Sequence, residues 1–427
     1  MTSPVPKIDS NSIDVYNPFS KTGQNDLSVS ENLDQLSLSM QENEFDSSSR
    51  AISCEEDQRA SLTSTIKTSL ENIAQIQQRE NEQPLMAFEL SFGNIEVLQL
   101  LGQGCFGVVY QARFCYPQKK DFIDVAVKIN KSIEGLVVSD FGLDELKNEA
   151  KILKHIFLSD PADTLPFARY IASGAITDKI YCLVQKLCPC NLSEFLASLD
   201  GRRLSLRSVA KMVYQLVQGL DFLQHPSRRI IHGDLKPQNI LYEGVGAKIR
   251  IADFGAAQQG QKPNKRGDYL VTRYYRPPEI VLGMPYDSSV DRWSVACIAF
   301  EIYTQTLLFP ASNSLEHTIM FKQLLGRPQK IFSDRVFSDK DFNKNAIVSL
   351  EDTFSRHETM SFPFQDRATY FHDAIYGKGS EESPPKKQFA DCIKKWLRWE
   401  PLERPLPSSM LEDPFITEGM KPREYSK

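Results

Sequence analysis

The sequence predicts an α+β fold, in which a small lobe rich in β-strands precedes a larger, mainly α-helical lobe. Short apolar runs separated by turn residues begin at Phe88 and fill the first part of the folded region. Helical periodicity dominates the later part, most clearly over residues 208–223 and 290–303. Strands gathered in one part of a chain and helices in another are typical of the α+β class.

The small lobe is predicted from four extended runs and one helix. The runs cover residues 95–101, 108–114, 123–129 and 180–185, and their apolar and β-branched residues favour strands. Residues 143–156 interrupt them with a helical pattern. Leu146, Ala150, Leu153 and Phe157 share one face of that helix, while the charged residues lie on the other faces.

The N-terminal segment, residues 1–85, differs in composition from the rest of the chain. It is rich in Ser, Asn, Gln, Asp and Glu, has an acidic balance, and contains only isolated large apolar residues. Such a segment cannot bury enough apolar surface to offset the entropy lost on ordering. The sequence therefore predicts that it is disordered and available to bind protein partners.

The composition limits the classes of partner. Fifty Lys and Arg nearly balance 55 Asp and Glu, so bulk charge gives no reason to expect nucleic-acid or membrane-surface binding. No apolar run reaches the about 18 residues of a membrane span. The eight Cys are irregularly spaced, which favours free thiols in a reducing compartment. The close pair Cys188 and Cys190 has too few ligands nearby to predict a zinc site.

A glycine-rich run is the first candidate for phosphate binding. Gly102, Gly104 and Gly107 follow one predicted strand and lead into another, so the backbone can close over phosphate groups. A dinucleotide-binding glycine motif would open a helix instead, and no helix follows here. An ordinary hairpin containing glycine remains the alternative.

Lys128 lies in an apolar strand, where an ammonium group is costly unless it meets an anion. Phosphate oxygens and a nearby Glu would supply that anion. We favour Glu149 over Glu145 because Glu149 directly precedes the apolar positions of the predicted helix, starting with Ala150. The alternative for either Glu is a solvated position on the helix.

Residues 232–239, with the sequence His-Gly-Asp-Leu-Lys-Pro-Gln-Asn, place three chemically distinct groups in one turn-rich loop. Asp234 can orient a substrate hydroxyl group and accept its proton. Lys236 can offset charge on a transferred phosphoryl group, and Asn239 can coordinate Mg²⁺ through its side-chain oxygen. Fourteen residues beyond Asn239, Asp253 follows a strand predicted over residues 249–252 and offers the hard oxygen ligand that Mg²⁺ prefers.

These motifs, in this order and spacing, resemble those of the eukaryotic protein kinase family over about residues 88–418. The resemblance implies a bilobal kinase domain at residues 86–418, with an N-lobe at about 86–187 and a C-lobe at about 188–418. A group-specific insertion occupies about 310–385, and a short tail follows at 419–427. Residues 272–279 resemble the end of an activation segment, in which Glu279 is expected to pair with Arg404. Residues 291–294 resemble the start of the central helix of the C-lobe.

Within the family, the chain resembles the CMGC group, which contains the cyclin-dependent, MAP and dual-specificity tyrosine-regulated kinases. Residues 222–234 look most like the dual-specificity branch, with its homeodomain-interacting and pre-mRNA-processing relatives, which also lack an Arg between the His and the Asp. Tyr269 matches the activation-loop Tyr that is autophosphorylated in that branch, and a packed structural Tyr is the alternative. Because Gly233 removes the usual guanidinium, ordering by phosphate would depend on other cations, such as Arg273 or Arg276. Gln185 and Lys186 also depart from the common pattern.

The resemblance implies an intracellular Ser/Thr protein kinase of the cytoplasm, the nucleus or both, with ATP and Mg²⁺ as cofactors and proteins as substrates. Asp234 and Lys236 are the expected catalytic residues, Asn239 and Asp253 the metal ligands, and Tyr269 the regulatory residue. The remaining expected contacts are to ATP, from Leu101, Gly102, Gln103, Gly104, Cys105, Phe106, Gly107, Val109, Ala126, Lys128, Glu149, Lys186, Leu187, Cys188 and Leu241. A pseudokinase scaffold and a divergent MAP-like or cyclin-dependent-like kinase are the alternatives.

Overall fold

The structure is a computed structural model that describes residues 84–104, 107–130, 142–259, 271–329 and 366–421. The predictions for the N-terminal segment before Pro84, for Cys105, Phe106 and Tyr269, and for residues 330–365 of the insertion lie outside these residues. The described chain divides into two units. The first contains the described residues up to Ala150 and Tyr170–Leu187, and the second contains Lys151–Arg169 and the chain from Cys188 onward.

An antiparallel sheet of six strands forms the first unit. The strands are β1 Met86–Leu90, β2 Gly93–Gly104, β3 Gly107–Cys115, β4 Ile123–Ile129, β5 Tyr170–Thr177 and β6 Ile180–Lys186. Their order across the sheet is β1-β2-β3-β4-β6-β5. On β4, Val125, Val127 and Ile129 join the apolar core of this sheet, so Ala126 and Lys128 lie on the opposite face. That face therefore carries Ala126 and Lys128, two of the residues predicted to contact ATP.

Gly107 begins β3 where the sheet leaves no room for a side chain. A Cβ at this position would lie 2.4 Å from the carbonyl oxygen of Ile129, whereas a Cβ at Gly102 would meet nothing within 4 Å. The close approach of β3 to β4 therefore requires a glycine at Gly107. The glycine requirement at this position comes from strand packing.

The helix predicted after β4 is present as α1, Leu143–Ser159. Leu146, Ala150 and Leu153 are buried as their spacing predicts, and Phe157 is partly buried, with the Arg169 guanidinium 4.2 Å from its ring centre. The helix begins in the first unit and ends in the second.

The second unit is mainly helical. Its helices are α2 Leu192–Ser198, α3 Leu206–Gln224, α4 Pro278–Val281, α5 Ser289–Thr304, α6 Ser314–Leu325, α7 Arg367–Tyr376, α8 Pro384–Trp396, α9 Pro407–Met410 and α10 Pro414–Met420. Helix α5 is buried on all sides, because all of its residues are buried except Glu301, which is partly exposed. An apolar helix without a polar face belongs at the centre of a domain. The α+β prediction is confirmed.

Five short strands carry the loops of the second unit. They are β7 Cys190–Asn191, β8 Ile230–Ile231, β9 Ile240–Tyr242, β10 Ile249–Ile251 and β11 Gln258–Gln259. Strand β9 lies between β10 and β7 in one small sheet, and β8 pairs with β11 in another. These strands position the loops in which most of the predicted polar site residues occur.

Element boundaries differ from the predictions by a few residues, and six of the described strands were not predicted. Helix α3 exceeds the predicted residues 208–223 at both ends, because Ser205 caps its first turn through a hydrogen bond to the backbone N–H of Ser208. Strand β10 ends at Ile251 rather than at residue 252. In the six-stranded sheet the unpredicted strands are β1 and β5, and β5 carries the small residues Ala, Ser and Gly in its centre. In the second unit they are the short strands β7, β8, β9 and β11. None of the described helices has the length and apolar character needed to cross a membrane.

Candidate active site

Lys128 and Glu149 form a buried ion pair within the first unit. Lys128 Nζ donates to Glu149 Oε2 at 2.7 Å, and both side chains are less than a tenth exposed. Strand β4 directs the lysine away from the sheet core, and the N-terminal half of α1 supplies the carboxylate. The structure therefore pairs Lys128 with Glu149, as favoured from the sequence over Glu145. A buried pair of this kind holds the ammonium group in one place.

The glycine-rich run forms the end of β2 and the start of β3. Gly102 lies opposite Val109 in the register of these strands, and Gly104 lies opposite Gly107. Gln103 and Gly104 are exposed, and Leu101 is 45% exposed. The exposed apolar side chain of Leu101 is compatible with a ligand that covers it.

Strand β6 leads to the residues predicted to contact the nucleotide base and ends at the first of them, Lys186. Gln185 pairs with Ala126 of β4 in the register, and Leu183 pairs with Lys128. Among the described residues, no acceptor contacts the buried Nε2 of Gln185. Lys186 is the last residue of β6, and Leu187 follows it at the end of the first unit.

The chain then enters the second unit at Cys188, which is partly buried, as is Leu241 in β9. Burial raises the pKa of the neighbouring Cys190 thiol to about 11, so Cys190 stays protonated near neutral pH.

Asp234 is the centre of a hydrogen-bond network that the sequence predicted only in part. Lys236 Nζ donates to Asp234 Oδ2 at 2.7 Å, and Thr272 Oγ1 donates to Asp234 Oδ1 at 2.6 Å. The Thr272 backbone N–H also donates to Oδ1 at 3.2 Å, and Lys236 Nζ lies 3.2 Å from Thr272 Oγ1. These three donors from Lys236 and Thr272, together with Asn239 Nδ2, fix the orientation of one carboxylate.

Asn239 uses its amide nitrogen on Asp234. Its Nδ2 donates to the Asp234 backbone oxygen at 2.8 Å and lies 3.2 Å from Oδ2. No donor of the described chain contacts Asn239 Oδ1, and the amide group is rotated so that this oxygen faces away from the Asp234 contacts. The network therefore leaves Oδ1 available to an external cation.

Asp253 follows β10 in a left-handed backbone conformation, with φ of 62° and ψ of 72°. Such a conformation is uncommon for a residue other than glycine and is typical of functional sites. The backbone N–H of the preceding Ala252 donates to the Asn239 carbonyl oxygen at 2.9 Å, so the chain holds Asp253 close to Asn239. Phe254 is fully buried, and its ring centre lies 4.8 Å from that of His232.

Asn239 Oδ1 and the Asp253 carboxylate fit Mg²⁺, which binds protein through one or two carboxylates and hard oxygen donors and takes its other ligands from water and phosphates. The described chain has no cluster of three or more His, Cys, Asp or Glu side chains that would form a closed metal cage. The donor set therefore suits a cation that arrives with a phosphate-bearing ligand.

Asp291 holds the backbone at the start of the loop of residues 232–239. Its carboxylate accepts the backbone N–H groups of His232 at 2.8 Å and Gly233 at 2.9 Å. Complete burial raises the pKa of Asp291, and His232 and the two N–H donors act in the opposite direction. Gly233 has φ of 80°, a conformation that side chains disfavour, so glycine suits this turn. Asp291 was recognised in the sequence only as the start of a helix.

The sequence also missed the contact of Thr272 with Asp234. Thr272 is the first residue of the run that resembled the end of an activation segment, and that position was the one available signal. The expected ion pair of Glu279 and Arg404 is present, with 2.6 Å between each pair of atoms. Arg276 Nε donates to the Val271 carbonyl oxygen at 2.5 Å, while Tyr269 lies outside the described residues.

A protein kinase domain family model matches residues 95–416. The chain belongs to the protein kinase family. This match covers the glycine-rich run, the ion pair of Lys128 and Glu149, and the Asp234 network, so the bilobal kinase fold expected from the sequence is confirmed.

Curated kinases similar to this one include serine/threonine-protein kinase ppk5 of Schizosaccharomyces pombe, 28% identical over 330 residues, covering 75% of this chain and 35% of ppk5. Dual specificity tyrosine-phosphorylation-regulated kinase 2 of Drosophila melanogaster is 27% identical over 343 residues, covering 78% of this chain and 42% of that protein. Dual specificity tyrosine-phosphorylation-regulated kinase 4 of Homo sapiens is 28% identical over 342 residues, covering 77% of this chain and 59% of that protein. The chain thus spans less than two thirds of the length of these relatives. The names of the last two relatives confirm the resemblance to the dual-specificity branch.

Proposed function

We propose that this protein is a Ser/Thr protein kinase that transfers the γ-phosphoryl group of ATP to hydroxyl groups of protein substrates. The observation that carries the proposal is the set of three donors around Asp234, from Lys236 and Thr272. A carboxylate that is oriented this firmly, beside two oxygen donors suited to Mg²⁺, matches what phosphoryl transfer requires of a protein. The family match and the names of the relatives support the same activity.

Asp234 acts on the substrate hydroxyl group in this proposal. It orients the oxygen for in-line attack on phosphorus and accepts the proton as the new bond forms. Lys236 contacts Asp234 Oδ2 and offsets negative charge on the transferred group. Thr272 keeps the carboxylate in one rotamer through its contacts with Oδ1.

Asn239 Oδ1 and the Asp253 carboxylate would hold Mg²⁺, which when bound neutralises charge on the phosphate oxygens. Lys128, fixed by Glu149, binds the α- and β-phosphates. The glycine-rich run, residues 102–107, covers the phosphates with its backbone. The adenine base contacts the backbone of residues 186–188 and the apolar side chains of Val109, Ala126 and Leu241.

Tyr269 is the proposed site of autophosphorylation. The support is its position four residues before Arg273 and the names of the relatives, which describe dual-specificity and tyrosine-regulated kinases. Arg273 and Arg276 are the cations that would receive the phosphate, as charge-assisted bonds to guanidinium groups order such loops. The purified protein is first dephosphorylated with a phosphatase. Mass spectrometry before and after incubation with ATP then tests this assignment. An active enzyme without phosphate on Tyr269 would contradict it.

We further propose that residues 86–418 form the catalytic domain and that residues 1–85 recruit protein partners. The span of the family match supports the first boundary and the composition of the segment supports the second assignment.

Transfer of labelled γ-phosphate from Mg²⁺-ATP to a generic basic protein tests the proposed activity. The wild-type protein is expected to transfer phosphate, and Asp253→Asn is expected to reduce the rate by about 100-fold or more through loss of a metal ligand. Asp178→Asn, which changes an exposed carboxylate in the turn between β5 and β6, is the control. No transfer by a folded wild-type protein would favour a pseudokinase scaffold.

A further inference from the structure

Arg250 is a buried cation that the proposed reaction does not use. It lies in β10 and is 8% exposed. Nη1 and Nη2 donate to the two carboxylate oxygens of Asp163 at 2.8 and 2.9 Å, Nε donates to Glu243 Oε1 at 2.6 Å, and Nη1 also donates to the Phe167 carbonyl oxygen at 2.9 Å. One guanidinium group thus binds two separate parts of the chain, the segment 160–169 and Glu243.

The charge of Arg250 is compensated where it lies. Burial alone would lower its pKa, but the hydrogen bonds and charges of Asp163 and Glu243 outweigh burial and raise the pKa. The guanidinium therefore stays charged over the whole range of stable pH. Since burying a charge is costly, removing one of these partners would leave the others uncompensated.

The first partner, Asp163, belongs to the segment 160–169, which is bound to β10 along its edge. The backbone N–H of Ile251 donates to the Pro166 carbonyl oxygen at 2.7 Å, and the N–H of Ala168 donates to the Ile251 carbonyl oxygen at 2.8 Å. Strand β9 occupies the other edge of β10. Arg250 is therefore held between this segment and β9.

The hairpin of β9 and β10 connects the two proposed metal ligands. Asn239 directly precedes β9, and Asp253 lies two residues beyond β10. Glu243 directly follows β9, so the bond from Arg250 to Glu243 joins the two arms of the hairpin. The bond from the Ala252 N–H to the Asn239 carbonyl oxygen closes the hairpin at the end where the ligands lie.

We infer that Arg250 is a positioning residue that sets the separation of the Asn239 and Asp253 metal ligands by clamping β9, β10 and the segment 160–169 together. The inference rests on the proposed function, because that proposal assigns Mg²⁺ to these two side chains. A lysine has one ammonium group and cannot reproduce the fork of bonds to Asp163 and Glu243. Geometry at the metal, rather than charge, is what Arg250→Lys would change.

Equilibrium binding of a non-hydrolysable ATP analogue to the full chain, with and without Mn²⁺, tests the inference without turnover. Arg250→Lys is expected to weaken the Mn²⁺-dependent part of the affinity by about tenfold, the low end of what is typical for residues that orient metal ligands. Binding of the analogue without metal should stay unchanged. Asp163→Asn, at a position whose φ of 58° suits Asn, is expected to give a smaller loss of the same kind.

Arg169→Lys is the matched control, because Arg169 binds Asp163 and backbone oxygens of the same segment, and within the described residues no hydrogen bond or ion pair joins it to β9 or β10. A loss in thermal stability with unchanged Mn²⁺-dependent binding in Arg250→Lys would make the residue purely structural and overturn the inference. A loss of Mn²⁺-dependent affinity in Arg169→Lys equal to that in Arg250→Lys would also overturn the inference. A wild type that binds no metal–nucleotide complex would overturn the proposed function as well, and a wild type that binds but transfers no phosphate would overturn the proposed function alone.

Discussion

Arg404 and Glu279 form a two-pronged ion pair in the interior of the second unit, with Nη1 2.6 Å from Oε1 and Nη2 2.6 Å from Oε2. Both side chains are completely buried. Arg404 also donates to the carbonyl oxygens of Arg398 and Ser289, and its guanidinium lies 5.2 Å from the ring centre of Trp293. Glu279 lies in α4, and Arg404 binds both Glu279 and the Ser289 carbonyl oxygen at the start of α5. Arg404 thus joins α4 to the central helix α5.

Arg404→Met is expected to destabilise the protein by about 3–5 kcal/mol, because it leaves the Glu279 carboxylate buried without a partner. Urea unfolding followed by tryptophan fluorescence measures the change, since Trp293 lies beside the pair. The double variant Glu279→Gln, Arg404→Met removes both charges and should recover part of the loss. A single-variant loss below about 1 kcal/mol would contradict a role for the pair in holding these helices together.

Thr272→Val is expected to lower kcat by about 10- to 100-fold, because the Asp234 carboxylate loses its shortest donor while keeping Lys236. The KM for ATP should change little, since Thr272 contacts none of the proposed nucleotide-binding residues. Thr272→Ser keeps the hydroxyl group and should retain most of the activity. Steady-state kinetics with both variants check this, and equal kcat in Thr272→Val and wild type would refute it.

Glu301 is expected to make stability decrease as pH rises from about 4.5 to about 7. Burial raises its pKa from 4.5 to about 7, with the Tyr275 hydroxyl donating to Oε2 at 2.7 Å. Between these values the folded state binds more protons than the unfolded state, so stability is lost with rising pH, on the order of 3 kcal/mol in total.

Glu301→Gln removes this dependence and keeps a group that can accept the Tyr275 hydrogen bond. The difference in unfolding free energy between the variant and the wild type should therefore grow with pH over that range. Urea titrations at four pH values measure it, with Glu381→Gln, which changes an exposed carboxyl, as the control. A constant difference across the range would argue against the raised pKa.

His317 should give a pH dependence of the opposite sign. Burial is the main cause that lowers its pKa to about 3, and the charges of Arg276 and Arg273 act in the same direction against that of Glu316. Below pH 6.5 the unfolded state binds more protons, so stability falls by about 1.4 kcal/mol for each unit of pH lost. His317→Gln is expected to abolish this fall between pH 6.5 and 5. Retention of the full slope in the variant would show that another group causes it.

Local patterns predicted much of the site because several partners lie on regular elements. The helical spacing of Leu146, Ala150 and Leu153 identified the face of α1, and the pairing of Lys128 with Glu149 followed from it. The motif of residues 232–239 placed Asp234, Lys236 and Asn239 in one loop. These relationships are short in sequence or repeat with a known period, so the order of residues is enough to find them.

Contacts between distant segments could not be predicted in the same way. Thr272 is 38 residues from Asp234, and Asp163 is 87 residues from Arg250. Asp163 lies in an irregular segment, which has no periodicity from which its position could be inferred. Strand β5 was not predicted because its small central residues lack the β-branched side chains typical of strands. Its extended conformation depends instead on its pairing with β6.

The central claim, that this kinase is active and uses Asp234 as the base, is tested most directly by single-turnover transfer from Mg²⁺-ATP in wild type and Asp234→Asn. Nucleotide affinity is measured in parallel, and Asp391→Asn, which changes an exposed carboxylate on α8, serves as the control. We predict a rate at least about 100-fold lower in Asp234→Asn, with unchanged affinity for Mg²⁺-ATP. Equal rates of transfer in Asp234→Asn and wild type would contradict the account.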